Sequence, residues 1–356
     1  MNRKIVESLK KITPVNSEIM KKARSKLDNL TKPRGSLGKL EDFATRMVGI
    51  TETLTPIINK KVIFVMAADH GVTVEGISAY PQEVTFQMVN NFINKGAGIN
   101  VLAEHVKADV VVVDMGVVGE FSTNKGIVNK KINHGTRNMA IGPAMNRKEA
   151  ENSIVFGIEA FEEVWEKEKI DIIGLGEMGI GNTTASSAIV ASVTQSEVEK
   201  VTGLGTGINE EQFKHKIKII EKALKINHPD YKDGLDILTK VGGFEIGGLV
   251  GCILAAASHR VPIVIDGFIS AASTLIALNL SPRVSDYIFV SHQSVEKGHA
   301  VALSYIGKTP MFDLKMRLGE GTGAALGIGF IEAAVKVLTQ MATFSDANII
   351  KKHVIT

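Results

Sequence analysis

Residues 170–181 read Ile-Asp-Ile-Ile-Gly-Leu-Gly-Glu-Met-Gly-Ile-Gly. The run Ile170 to Leu175 is short and nearly all apolar, breaks into closely spaced glycines, and gives way to a helix-like stretch, Asn182 to Ala188. The same grammar recurs on both sides. Val62 to Met66, Val110 to Asp114, Ile263 to Ile265 and Tyr287 to Val290 are β-branched or apolar runs, each closed by a turn and followed by a helical pattern. Strands that are apolar on both faces and alternate with helices predict a parallel sheet covered on both sides, an α/β fold. The first 60 residues differ: Ser17 to Leu30 and Gly38 to Leu54 carry apolar residues at helical spacing around a turn at Thr31 to Ser36. Helix returns from about Arg317, through Ala324 to Met341.

Composition narrows the function classes. The chain has 356 residues, 41 Lys and Arg against 38 Asp and Glu, and 44% hydrophobic residues, so it can build a core and shows no basic excess for nucleic acid. Its one cysteine, Cys252, lies in an apolar stretch and reads as a buried, inert thiol. The His residues lack metal-ligand spacing, and no metal is expected. Gly307-Lys308-Thr309 imitates the end of a P-loop, but Ala302 stands where its first glycine belongs. No signal-peptide pattern opens the chain, and the longest apolar runs fall short of a membrane span, so a cytoplasmic protein is expected.

Beyond the strands stand Asp69-His70-Gly71, Asp114, Gly176-Glu177, Asp266-Gly267 and Ser291-His292. Ligand crevices of parallel sheets open at these ends. Such residues also cap helices, so each alone is ambiguous and the set reads as a rim. Gly174 to Gly179 spells G-x-G-x-x-G, with Glu197 about twenty residues on, the dinucleotide pattern. Glu177 inside the turn would face a pyrophosphate, so a single phosphate set to one side fits better; a tight turn without ligand is the alternative. A second cluster, Gly203 to Gly207, precedes a helix carrying Lys214, His215, Lys216 and Lys218, one of which could reach an anion. In the third, Arg317-Leu-Gly-Glu-Gly-Thr-Gly323, a carboxylate sits between glycines. Either Thr322 caps the helix and Glu320 is solvated, or Glu320 is a general base presented on bare backbone to a flat substrate; the second reading is preferred. Ser78 to Gln82 with Phe86 to Met88 reads as a turn into a helix, or as part of a slot for an aromatic ring.

Taken together, RGSLGKLE (34–41), DHGVTVEGISAYPQEVT (69–85), KGAGINVLA (95–103), GLGEMGIGNTT (174–184), GFEIGGLVG (243–251), SHQSVEKGH (291–299) and RLGEGTGAALG (317–327) resemble the nicotinate-nucleotide–dimethylbenzimidazole phosphoribosyltransferase family over nearly the whole chain. The resemblance implies a Rossmann-like α/β domain at 61–310, a smaller helical lobe built from 1–60 and 311–356, and a homodimer. It implies a pentosyltransferase that moves 5-phosphoribosyl from nicotinate mononucleotide to 5,6-dimethylbenzimidazole or a related base. The products would be α-ribazole 5′-phosphate, for the lower ligand of cobalamin, and nicotinate, with no cofactor. Carried over, the catalytic residues are Glu320 as the base, Glu177 at the ribose or in a supporting carboxylate role, and Lys216 binding an anion. Gly176, Met178, Gly179, Thr183, Gly203 and Ser291 would hold the nucleotide phosphate, and Ser78, Tyr80, Gln87 and Leu318 the base. The rivals are an N-ribosyl hydrolase using Glu177 and Glu320, and a nucleotide-binding module without catalysis.

Overall fold

The computed structural model describes residues 1–121, 126–205 and 207–350. Its sheet has six parallel strands: β1 (Lys61–Ala68), β2 (Asp109–Gly116), β3 (Ile127–Asn129), β4 (Ile172–Met178), β5 (Ile263–Ile265) and β6 (Ile288–Val290). Their spatial order is β3-β2-β1-β4-β5-β6, the doubly wound nucleotide-binding order, which reverses direction between β1 and β4. Five strands sit where the apolar runs predict them. The short β3 was not anticipated, since its three residues pair on one side only, with β2, and need no apolar run.

Register explains why the central strands are apolar throughout. Ile63 and Val65 pair with Gly174 and Gly176, while Phe64 and Met66 pair with Leu175 and Glu177. The first set faces the helix Thr322–Gln340: a side chain at Gly174 would press on Ala324 and Ile328. The second set faces the helices Arg147–Lys167 and Phe244–Ser258, where Phe64 meets Phe161 and Met66 lies beside Gly248. Those two helices pack backbone to backbone, for a Cβ at Gly157 would stand 2.0 Å from the Gly248 carbonyl oxygen. The GFEIGGLVG run is therefore a helix-packing surface. Cys252 belongs to it, fully buried, its thiol donating to the Gly157 carbonyl at 3.4 Å and pushed up by burial.

Both chain ends add to one satellite core. Ala23 and Leu27 of the helix Ser17–Leu27, Leu30, Ala44 and Val48 of the helix Lys39–Thr51, and Ala334 and Leu338 of the helix Thr322–Gln340 cluster together. Glu41 anchors the turn between the first two helices, accepting from buried Lys32 at 2.7 Å and from the Leu37 amide at 3.1 Å. That accounts for the RGSLGKLE run in structural terms. The helix Thr322–Gln340, with 19 residues, is the one helix among the described residues long and apolar enough to cross a membrane, which the sequence reading did not anticipate. Over half of its apolar window is buried inside the protein, against β4 and β5, so here it is a core helix.

Candidate active site

A cavity of about 530 Å³ opens at the carboxyl ends of β4, β5 and β6, beside the point where the strand order reverses. Its apolar side is built from Ile77, Tyr80, Val84, Met88 and Leu318, and its polar side from Glu177, Asn182, Thr183, His292, Glu296, Arg317 and Glu320. Tyr80 and Leu318 are more than half exposed, so the slot is open on that side.

Glu320 is held in an unusual way. It takes φ 63° between Gly319 at 81° and Gly321 at 93°, three successive left-handed residues, which is why glycine flanks it on both sides. The side chain is only 4% exposed, and Oε2 accepts from the Ile99 amide at 3.1 Å, at the start of the helix Gly98–His105. Burial drives its pKa up, the Ile99 hydrogen bond works against that, and the nearby Asp266 charge adds to it; the net direction is upward. Thr322 is not the cap: the helix is capped at Gly321, and Thr322 is its first residue, with its hydroxyl on the Gly319 carbonyl. The KGAGINVLA run thus has a role at this site, since a Cβ at Gly98 would meet Leu318 and crowd Glu320.

Glu177 is the next-to-last residue of β4 and is buried at 8% exposure, with Asn182 Nδ2 donating to its Oε2. Desolvation first, then the charges of Asp266, Glu245 and Glu320, raise its pKa to about 8, against the opposing Asn182 bond. It is therefore largely protonated at neutral pH and can donate a hydrogen bond. Below it lies a buried pair, His70 Nε2 to Glu245 Oε1 at 2.6 Å. Burial disfavours the charged ring, but the Glu245 charge and hydrogen bond outweigh it and raise the His70 pKa.

Lys216, from the helix Glu210–Asn227, is 1% exposed and donates to Thr183 Oγ1 at 2.8 Å. Burial lowers its pKa to about 8, with Glu296 pulling the other way. It stands behind Thr183 rather than on the cavity wall, and the lysines beside it, 214 and 218, are surface residues.

The remaining sequence candidates divide. Met178, Gly179, Thr183, Ser78, Tyr80 and Leu318 line the cavity. Gly176, Gly203, Ser291 and Gln87 do not. Gly176 lies under the Glu320 loop, where a Cβ would come within 2.2 Å of the Glu320 carbonyl oxygen, so the second glycine of G-x-G-x-x-G makes room for that loop, while the first, Gly174, makes room for the helix Thr322–Gln340. Gly203 makes room for Glu296, whose Oε2 would be 1.9 Å from a Cβ there. Ser291 is fully buried and donates to the Asp266 carbonyl at 3.1 Å. Thr206 of the second glycine cluster lies outside the described residues. Glu197, the acidic residue of the dinucleotide pattern, pairs with Lys200 on the surface.

The rim reading needs division too. Asp69 and Asp114 accept from backbone amides, Val118 at 2.7 Å for the first and Gly116 and Val117 for the second, so both brace loops. Sequence reasoning singled out neither Glu296 nor Arg317 as a site residue, although both lie inside quoted motifs; their burial and direction could not be read there. Arg317 donates to the Gly205 carbonyl at 3.2 Å, and Glu296 Oε1 accepts from the Gly205 amide at 3.0 Å, so together they fix that loop across the cavity.

The phosphoribosyltransferase family model matches residues 12–349. The nicotinate-nucleotide–dimethylbenzimidazole phosphoribosyltransferase of Geobacter sulfurreducens (strain ATCC 51573 / DSM 12127 / PCA) is 54% identical over 345 residues, 97% of this chain and 98% of the relative. This chain belongs to that family. The enzyme of the same name from Geobacter metallireducens (strain ATCC 53774 / DSM 7210 / GS-15) is 53% identical, with 98% of each chain covered. Among solved structures, CobT from Thermus thermophilus superimposes with a TM-score of 0.91 at 40% identity, covering 94% of this chain and all of that one. A crystal structure of the family enzyme from the same organism gives 0.90 at 39% identity, covering 95% of this chain and all of that chain. Family membership and the doubly wound α/β fold thus agree with the sequence reading.

Proposed function

We propose that this chain transfers 5-phosphoribosyl from nicotinate mononucleotide to 5,6-dimethylbenzimidazole, yielding α-ribazole 5′-phosphate and nicotinate. The observation that carries the mechanism is the Glu320 carboxylate, buried at the mouth of an apolar slot with its basicity raised. A benzimidazole seated between Tyr80, Met88 and Leu318 gives its ring N–H proton to Glu320. The freed nitrogen pair attacks the anomeric carbon as the bond to nicotinate breaks. The leaving pair neutralises the pyridinium ring, so the leaving group needs no proton, and attack from the opposite face inverts the centre.

Glu177, neutral at pH 7, donates to a ribose hydroxyl. Gly179, Met178 and Thr183, at the start of the helix Asn182–Thr194, receive the phosphate, and Lys216 supplies positive charge through Thr183. Gly176, Gly203 and Ser291 serve that arrangement from behind, by shaping the loops. We read residues 61–310 as the large domain and 1–60 with 311–356 as the smaller lobe, which the satellite core supports over the described part. The family resemblance supports a homodimer acting in the cytoplasm, and sedimentation of the purified protein tests the dimer.

The deciding assay is mass spectrometry of nicotinate mononucleotide with the protein, with and without dimethylbenzimidazole. Nicotinate release that requires the base, with the ribazole phosphate mass, is expected. Release without base would mean hydrolysis, and tight binding without release a binding module. Glu320→Gln should lower kcat by about 10²- to 10⁴-fold while mononucleotide still binds. Near-wild-type turnover removes Glu320 from its role.

A further inference from the structure

The Glu320 loop is tied down by one carboxylate outside the cavity. Asp266, at the end of β5, accepts from the Gly321 amide through Oδ2 at 3.1 Å, and from the Gly323 and Ala324 amides through Oδ1 at 2.7 and 3.2 Å. These are the residues just after Glu320 and the first turn of the helix Thr322–Gln340, whose unpaired amides favour an acceptor with negative charge. The fit is close, for a Cβ at Gly323 would stand 2.7 Å from Asp266 Oδ1 and 2.2 Å from the His292 ring. Asp266 is 2% exposed, and its nearest cationic candidate, His292 Nε2, is 3.6 Å away.

We propose that Asp266 is the positioning residue of the catalytic base: it locks the left-handed backbone that aims Glu320, and it holds a buried carboxylate beside that loop. This rests on the reading of Glu320 as the base. Support comes from the raised pKa of Glu320, where burial leads and the Asp266 charge adds. The other ionisable groups around this point are Glu177 at the end of β4, Glu245 below it and His292 after β6. A charged His292 would oppose the effect, and Glu177 is mostly neutral at pH 7.

Two variants separate the two halves of the proposal. Asp266→Glu keeps the charge but displaces the acceptor oxygens, so kcat should fall about tenfold or more with little change in KM for mononucleotide. Its acidic pH limb should stay in place. Asp266→Asn keeps an acceptor and removes the charge, so the acidic limb of kcat should move down by about half a pH unit or more. The ratio of variant to wild-type turnover then falls as pH rises, and ionisations of the substrates cancel in that ratio. A merely structural aspartate would lower turnover evenly at every pH. Wild-type kcat in Asp266→Glu overturns the locking half, and an unmoved limb in Asp266→Asn overturns the charge half. Glu320→Gln is measured alongside. If it keeps full turnover, the base reading itself has failed; if it is inactive while both Asp266 variants behave as wild type, only the role of Asp266 has failed. Thermal midpoints confirm that each variant is folded.

Discussion

Replacing Glu177 by glutamine should stabilise the protein, and by an amount that depends on pH. In the native state its carboxyl keeps its proton up to about 8, against an ordinary value of 4.5. An acid with a raised native pKa contributes most below its unfolded pKa, and that contribution is lost as pH rises toward the native value. Between pH 5 and pH 7.5 the unfolded chain releases this proton while the native chain largely keeps it. At about 1.4 kcal/mol per pH unit, wild type should lose about 3 kcal/mol of stability from this group over that interval. Glu177→Gln keeps the size of the side chain and does not titrate. Its advantage over wild type should therefore grow by about 3 kcal/mol from pH 5 to pH 7.5, read from urea unfolding of both proteins at each pH. Every other titrating group is common to the pair. An advantage equal at the two pH values would refute the neutral buried carboxyl, and with it the assignment of Glu177 as a hydrogen-bond donor.

Lys216→Met should raise KM for the mononucleotide about tenfold or more in steady-state kinetics, and wild-type affinity should weaken as pH rises through about 8, where the lysine loses its proton. That pH dependence should be absent from the variant. Gly176→Ala pushes a methyl group against the Glu320 carbonyl, so turnover should fall at least about tenfold and stability by about 1–3 kcal/mol, checked by kinetics and thermal melting. Wild-type turnover there would show that the loop can yield. Cys252 should not react with a thiol reagent until the protein is denatured, as followed by absorbance with and without denaturant.

Much of this architecture is legible in the sequence because burial on both faces leaves a strand few polar positions. The runs at 62–66, 110–114, 170–175, 263–265 and 287–290 all show it. β3 has no such run and was invisible. For the site, the glycines around Glu320 and Glu177 were readable as unusual backbone, but what each glycine accommodates was not. Gly176 and Gly203 look like phosphate-loop residues in one dimension, yet each faces a glutamate that the fold delivers from more than ninety residues away. Asp266 looked like one more rim residue, since nothing local marks a carboxylate whose three amide partners lie more than fifty positions along the chain. Gln87 follows a turn that does line the cavity, but its place in the helix Val84–Ile93 puts it off the wall that Val84 and Met88 form.

Four carboxyl groups, Glu177, Glu245, Asp266 and Glu320, lie close together in this fold: the other three raise the pKa of Glu177, and Asp266 raises that of Glu320. Such a cluster is a poor choice for stability, because each buried negative charge is desolvated and repelled by its neighbours. The fold limits the damage by three devices. One carboxyl, Glu177, is left protonated; one, Glu245, is paired with His70; and one, Asp266, is wrapped in backbone amides. Glu320 is left with a single amide donor and a face on the cavity, and so is the one whose proton affinity a substrate can use. On the proposed reaction that arrangement has a second consequence. The sugar being transferred leaves a cationic pyridinium and carries positive charge at its anomeric carbon as the bonds exchange. Negative charge preorganised beside the cavity stabilises that developing charge, while Lys216 supplies positive charge for the phosphate through Thr183. The same repulsion that weakens the empty protein is then relieved by the cationic centre, so bound mononucleotide should raise the thermal midpoint of wild type more than that of Asp266→Asn, which lacks one of the charges.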